Sequence, residues 1–184
     1  IEASDRLRLI CCQVDEMPIP DFLIPATSVS NLVRLPITHI SRGKGWAHFK
    51  TKEGTIFSCR IYQGEYPDTT TLYDVPGTKV DFPNEIKEAL GRGKIFSDAD
   101  HSNDEWVKIQ FNEGELIVEC RSQTDWFVET IKCSYKGEGI SFHINPTFLE
   151  QILGTMKTCV KGERALKFTG DKWQYLIALQ IIKD

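Results

Sequence analysis

At 184 residues, with 41% hydrophobic and 26% charged side chains, the chain is long enough to bury a core and too evenly composed for a fibrous or disordered protein. A formal net charge of −4 excludes a simply basic nucleic-acid-binding domain, so any nucleic-acid contact must come from a local basic face. No apolar run approaches the roughly 20 residues that cross a bilayer, and the six cysteines have neither CxxC nor Cys/His spacing, which fits small buried residues in a reducing cytoplasm rather than a zinc site or disulfide frame.

In chain order, Ser4 to Val14 reads as a strand, with Leu7, Leu9 and Cys11 on one side and Arg6 and Arg8 on the other. Asp15 to Pro20, with two prolines, is a connection. Asp21 to Ile24 is a short strand passing through Pro25 into a helix from Ala26 to Leu35, whose Val29, Leu32 and Val33 share a face and which Pro36 ends. Three strands follow, Ile37 to Ser41, Gly45 to Thr51 and Thr55 to Tyr62, divided by turn phrases at Arg42 and Lys52. The phrase RIYQGEYPD, Arg60 to Asp68, closes this unit: Gly64 permits a turn, Pro67 fixes the exit, and Tyr66 can anchor it.

After a polar connector, Thr69 to Gly77, the same order returns. Lys79 to Phe82 is a strand, Pro83 opens a helix through Ile86, Ala89 and Leu90, and strands Glu105 to Phe111, Glu115 to Arg121 and Trp126 to Ser134 follow. A third copy begins with strand Ile140 to Ile144 and turns at Asn145 and Pro146 into a helix, with Phe148, Leu149, Ile152, Leu153 and Met156 at helical spacing. Two closing strands, Cys159 to Phe168 and Lys172 to Ile182, are joined by a turn at Gly170 and Asp171. Pro25, Pro83 and Pro146 thus mark three helix starts about 60 residues apart, a period suited to repeated βαβββ units.

A strand ending on RIYQGEYPD, a connector, and a strand that enters a helix through FPNEIKEAL resemble the junction between the middle and C-terminal domains of bacterial sliding clamps, the β subunit of the replicative DNA polymerase. SDRLRL, Ser4 to Leu9, resembles the family phrase TDGHRL, with Arg6 and Leu7 in place of Gly and His. The resemblance implies an α+β fold of the DNA-clamp type, helices on one side and antiparallel sheets on the other. It implies a partial middle domain over 1–73, a complete C-terminal domain over 74–184, and a chain that is the C-terminal part of something longer.

Chemistry for catalysis is sparse. The acidic stretch Asp98 to Glu105 misses the EF-hand pattern, since its sixth position is Asn103 and its twelfth Ile109. His39, His48 and His143 lack a ligand-spaced partner, and KGEG and GRGK are turn and helix-end sequences. The chain is therefore expected to be no enzyme and to use no cofactor or metal; a hydrolase or nuclease would need a cleft with paired carboxylates.

The resemblance implies a processivity factor that tethers DNA polymerase to duplex DNA, binding the duplex without sequence preference, binding polymerase and clamp loader through short linear motifs, closing a homodimeric ring in the full-length protein, and making no membrane contact. The alternative is a clamp-derived interaction module that no longer encircles DNA. Carried over by motif position, a peptide groove would comprise Ser4, Arg8, Leu9, Pro67, Leu72, Asn145, Phe148, Leu176 and Ala178. Duplex-facing cations would be Arg34, Lys87, Arg92, Lys94, Lys157 and Lys161, and the subunit interface would use Ile95 and Phe96. Thr71 stands where the family commonly has a basic residue, and ALQIIKD replaces its usual MPMRL-like ending.

Overall fold

The computed structural model describes residues 1–15, 19–96, 106–122 and 125–180. By packing, the chain forms two compact units: Ile1–Gln13 with Thr70–Asp184, and Val14–Thr69. Ile1–Gln13 therefore packs with the larger unit, although sequence order alone groups it with the residues up to 73.

In the larger unit, the start of the chain differs from the single strand expected from Ser4 to Val14. It forms a hairpin of β1 (Glu2–Ser4) and β2 (Arg8–Cys12). The reason is local: the Asp5 carboxylate accepts hydrogen bonds from the backbone N–H groups of Leu7 (3.1 Å) and Arg8 (2.7 Å), and Arg6 takes a left-handed φ of 76°. A short aspartate at a turn competes for backbone donors that a strand would need.

Two βαβββ copies follow. The first is β6 (Thr78–Asp81), α2 (Ile86–Gly93), β7 (Val107–Asn112), β8 (Glu115–Arg121) and β9 (Trp126–Lys132). The second is β10 (Ile140–Ile144), α3 (Pro146–Leu153), β11 (Thr158–Lys161), β12 (Ala165–Thr169) and β13 (Trp173–Ala178). The stretch expected as one strand from Cys159 to Phe168 is thus a hairpin, because Gly162 donates to the Ala165 carbonyl and turns the chain. The final strand ends at Ala178, and residues 181–184 lie outside the described residues, as does the acidic stretch Asp98 to Glu105.

Each copy gives its first strand to the other. The sheets run β10-β7-β8-β9 and β1-β2-β13-β12-β11-β6, antiparallel throughout, so β6 closes the meander of the second copy and β10 that of the first. The helices α2 and α3 pack against each other. Their apolar faces explain this: Ile86, Ala89 and Leu90 of α2 and Leu149 of α3 are fully buried, in one cluster with Ile109, Phe111, Leu116, Phe168 and Ile177 from both sheets. Burying a side chain such as Ile86 or Leu90 is worth about 1.5–3 kcal/mol. Asn145 caps α3 by accepting from Phe148 N–H at 3.1 Å, with Pro146 at the first helical position.

The smaller unit holds α1 (Ala26–Leu32) and a three-stranded meander of β3 (Ile37–Gly43), β4 (Trp46–Thr51) and β5 (Ile56–Arg60). Its core is Leu32, Ala47, Phe49 and Cys59, with Phe22, Ile24, Ile40 and Phe57 packed around them. Asp21 to Ile24, expected as a strand, forms no ladder; Tyr62 N–H donates to the Leu23 carbonyl, and the Arg42 guanidinium donates to the Asp21 carbonyl at 2.9 Å. The expected apolar face of α1 is also only partly used, since Leu32 is buried while Val29 and Val33 are exposed. One seven-residue helix over three strands has too little sheet beneath it to cover all three side chains.

Candidate peptide groove and basic surfaces

The seam between β2 and β13 carries most of the residues expected to line a groove. Leu9 and Leu176 stand opposite each other across it, 5% and 6% exposed, and the next residue along each strand pairs Arg8 with Ile177. Because successive side chains alternate between sheet faces, Leu9 and Leu176 lie on one face and Arg8 and Ile177 on the other. Ile177 faces the helices in the main core, so Arg8 does too.

On the face away from the helices, register places Ser4 beside Leu9, and Ala178 two residues beyond Leu176. A single 3-10 turn, Thr70–Tyr73, lies over this face, since Lys167, the cross-strand partner of Leu176, donates its ammonium to the Tyr73 carbonyl. Leu72 sits in that turn and is 55% exposed. An exposed leucine in a turn tied to this face is a side chain that an apolar ligand could cover.

The helix-facing group is built differently. The Arg8 guanidinium lies 3.9 Å over the centroid of the Phe148 ring, donates to Gln151 Oε1 at 2.7 Å, and pairs with the Asp5 carboxylate at 2.6 Å. Burial opposes ionisation of both partners, yet the hydrogen bonds and charge of the pair outweigh it: the Asp5 carboxyl is held below its usual range and Arg8 above its own. Burial raises the Tyr175 hydroxyl, an effect that the neighbouring Arg8 partly offsets. Phe148 and Asn145 are buried, and the Asn145 carboxamide is committed to capping α3.

The nine expected groove residues therefore do not form one wall. Ser4, Leu9, Leu72, Leu176 and Ala178 gather on the outer sheet face, and Arg8, Asn145 and Phe148 on the helix side. Strand alternation separates Arg8 from Leu9, a division that motif position does not reveal. Pro67 belongs to the Val14–Thr69 unit, where it is exposed. Sequence reasoning missed Asp5, Gln151 and Tyr175, which fix Arg8; Asp5 was visible inside the phrase SDRLRL, whereas Gln151 and Tyr175 come close only through the fold.

Several cations expected to face a duplex are already engaged. Arg92 makes a two-pronged contact with Glu129 at 2.7 and 2.9 Å, with Glu88 nearby at 3.8 Å. Lys94 pairs with Glu150, and Lys157 bonds the Asn84 carboxamide. Lys161 lies in β11 rather than on a helix, Lys87 is half-buried on α2, and Arg34 is exposed just after α1. The apolar pair expected at a subunit interface also divides: Ile95 is 79% exposed, whereas the Phe96 ring stacks on Phe127 with centroids 5.6 Å apart. Among the described residues no group of three or more His, Cys, Asp or Glu could hold a metal ion, and no helix is long and apolar enough to cross a membrane.

Paired βαβββ copies with exchanged first strands and adjacent helices make this the DNA-clamp fold, mixed α+β, as the resemblance implied. The chain is similar to the beta sliding clamps of Pseudomonas putida and Proteus mirabilis, 23% identical to each, over 85% and 84% of its own length but only 45% and 44% of theirs. It superposes over 98% of its length on 54% of the DNA polymerase III subunit beta from Pseudomonas aeruginosa, with a TM-score of 0.81 at 19% identity. Against the DnaN sliding clamp from Bartonella birtlesii bound to griselimycin the TM-score is 0.83 at 15% identity, again covering 54% of that chain. The chain thus spans about half the length of these clamps. No family model matches it.

Proposed function

We propose that this chain is the equivalent of the C-terminal part of a sliding clamp, a non-catalytic cytoplasmic tether that holds DNA polymerase and other replication proteins on duplex DNA. The observation that carries this reading is the fold shared with sliding clamps along 98% of the chain. In this reading residues 1–73 are the end of one clamp domain, residues 74–184 are a complete one, and the β2–β13 ladder is the seam between them. Clamp loader and polymerase reach the seam through short linear motifs, and the full-length protein closes as a homodimeric ring in which Ile95 and Phe96 meet the other subunit.

The outer-face group, Leu9, Leu72 and Leu176 with Ser4 and Ala178, is the proposed docking site. Arg8, Asn145 and Phe148 then support the seam from behind. A peptide burying one Leu and one Phe gains roughly 3–6 kcal/mol before ordering costs, so an isolated peptide is expected to bind at micromolar affinity or weaker. The test is calorimetry with a peptide carrying Gln followed by spaced Leu and Phe. Wild type binds and a folded Leu72→Asp variant does not; equal heats from the two proteins, or none from wild type, would end the groove assignment.

Engagement of Arg92 and Lys94 by carboxylates favours the second reading, an interaction module that does not encircle DNA. Charge reversal at Arg92 and Lys157 in the full-length protein separates the two readings. It lowers polymerase processivity if these helices face phosphates and leaves it unchanged in the module.

A further inference from the structure

The meander of the smaller unit is charged unlike the rest of the chain. Between Ile37 and Arg60 it carries Arg42, Lys44, Lys50, Lys52 and Arg60 against Glu53 alone, in a chain whose net charge is −4. Register sorts these side chains. Ala47, Phe49, Phe57 and Cys59 turn inward, so the opposite face presents three rows: Gly43, Trp46 and Arg60; Ser41, His48 and Ser58; and His39, Lys50 and Ile56. No carboxylate stands in these rows. Among the described residues neither Lys50 nor Arg60 forms an ion pair, in contrast to Arg8, Arg92, Lys94, Lys108 and Arg121 of the larger unit, each of which meets an Asp or Glu.

The same face carries stacking and hydrogen-bonding groups. The Arg60 guanidinium lies 4.6 Å over the Trp46 ring, and His48 shares a hydrogen bond of 2.8 Å with Ser58. Ile56 and Trp46 are 61% and 37% exposed. Three strands and three rows span about 10 Å by about 14 Å. Unpaired cations for phosphates, a guanidinium-on-indole platform for a base and hydroxyls for base edges are the components of a single-strand surface.

We infer that the outward face of the β3–β4–β5 sheet binds single-stranded nucleic acid, with Lys50 and Arg60 on the phosphates and the Arg60–Trp46 stack beneath a base. The inference rests on the Val14–Thr69 unit and does not depend on the clamp reading.

The test is fluorescence anisotropy of a short fluorescein-labelled oligothymidylate titrated with the 184-residue chain. Two phosphate contacts to a single strand predict affinity falling about 7-fold between 50 and 200 mM salt. The Lys50→Glu/Arg60→Glu pair should bind at least about tenfold more weakly and lose that salt dependence. Trp46→Leu should weaken binding at every salt concentration without changing the slope. Lys132→Glu/Lys136→Glu, an equal charge change in the other unit, should bind as wild type. Should the double glutamate variant fail to fold by circular dichroism, Lys50→Gln/Arg60→Gln removes the same charges without adding new ones. The inference is overturned if the folded sheet variant binds like wild type, if the control pair loses as much, if blunt duplex competes equally, or if polyglutamate binds and the oligonucleotide does not.

Discussion

Arg6 holds a left-handed φ of 76° at the tip of the hairpin that carries Ser4, Arg8 and Leu9. That conformation costs an L-residue about 1–2 kcal/mol. The turn tolerates it because the Asp5 carboxylate fixes Leu7 N–H and Arg8 N–H while the Ser4 hydroxyl accepts from Arg6 N–H at 3.2 Å and donates to the Arg8 carbonyl at 2.9 Å. Arg6→Gly removes the strain but frees the unfolded chain, which costs about 0.4–1 kcal/mol. The net expectation is a gain of about 0.5–1 kcal/mol, or about 1–4 °C in Tm for a chain of this size. Urea unfolding followed by tryptophan fluorescence is a suitable assay, since Trp173 pairs with Cys12 one strand from the hairpin. The midpoint should rise with an unchanged slope. Arg6→Ala, which keeps the Cβ and the strain, should gain nothing; an equal rise in both variants, or none in Arg6→Gly, would refute the reasoning.

The same hairpin predicts a pH dependence. The Asp5 carboxyl lies below its ordinary 3.8 in the folded protein, so its contribution is complete above that value and is lost as pH falls through the folded pKa; the stability gap between wild type and Asp5→Asn should close in melts taken below about pH 4. Phe148→Ala removes a ring that is 6% exposed and lies beneath Arg8, and chemical denaturation should report a loss of about 3–5 kcal/mol. Burial, with Glu119 adding to it, pushes the Cys120 thiol up to about 12 and raises Cys159 as well, so neither should react with a thiol reagent at pH 8 until the chain is unfolded; rapid labelling of native Cys120 would contradict this.

The larger unit was legible in the sequence wherever apolar spacing and a stop signal agreed. Strands Glu115–Arg121 and Ile140–Ile144 fall where alternation places them, and α3 starts on the Asn145–Pro146 cap. The errors occurred where a short polar side chain or a glycine overrode a continuous apolar pattern: Asp5 converts one strand into a hairpin, and Gly162 does the same between β11 and β12. The site was legible as a set of residues but not as a surface. Motif position brought Leu9 and Leu176 to one seam, while the sheet face of each side chain depended on a register set by strands far apart in sequence. The pairing of Arg92 and Lys94 with Glu129 and Glu150 was hidden for the same reason, since neither carboxylate is near its partner in the chain.

The exchange of first strands has a kinetic consequence. Thr78 at the start of β6 must wait for Lys161, and Val107 in β7 for Ile144, before either sheet closes. Neither βαβββ copy is a self-sufficient folding unit, because each leaves an open edge that only the other can cover. On the ribosome the larger unit therefore stays incomplete until nearly its last strand has emerged, and such long-range pairings slow the closing step. The same interlock ties the two copies once they have formed, so loosening β6 exposes the edge of β11 and loosening β10 exposes that of β7. Mechanical or thermal opening of this unit should thus begin in both copies together rather than peel away one repeat at a time.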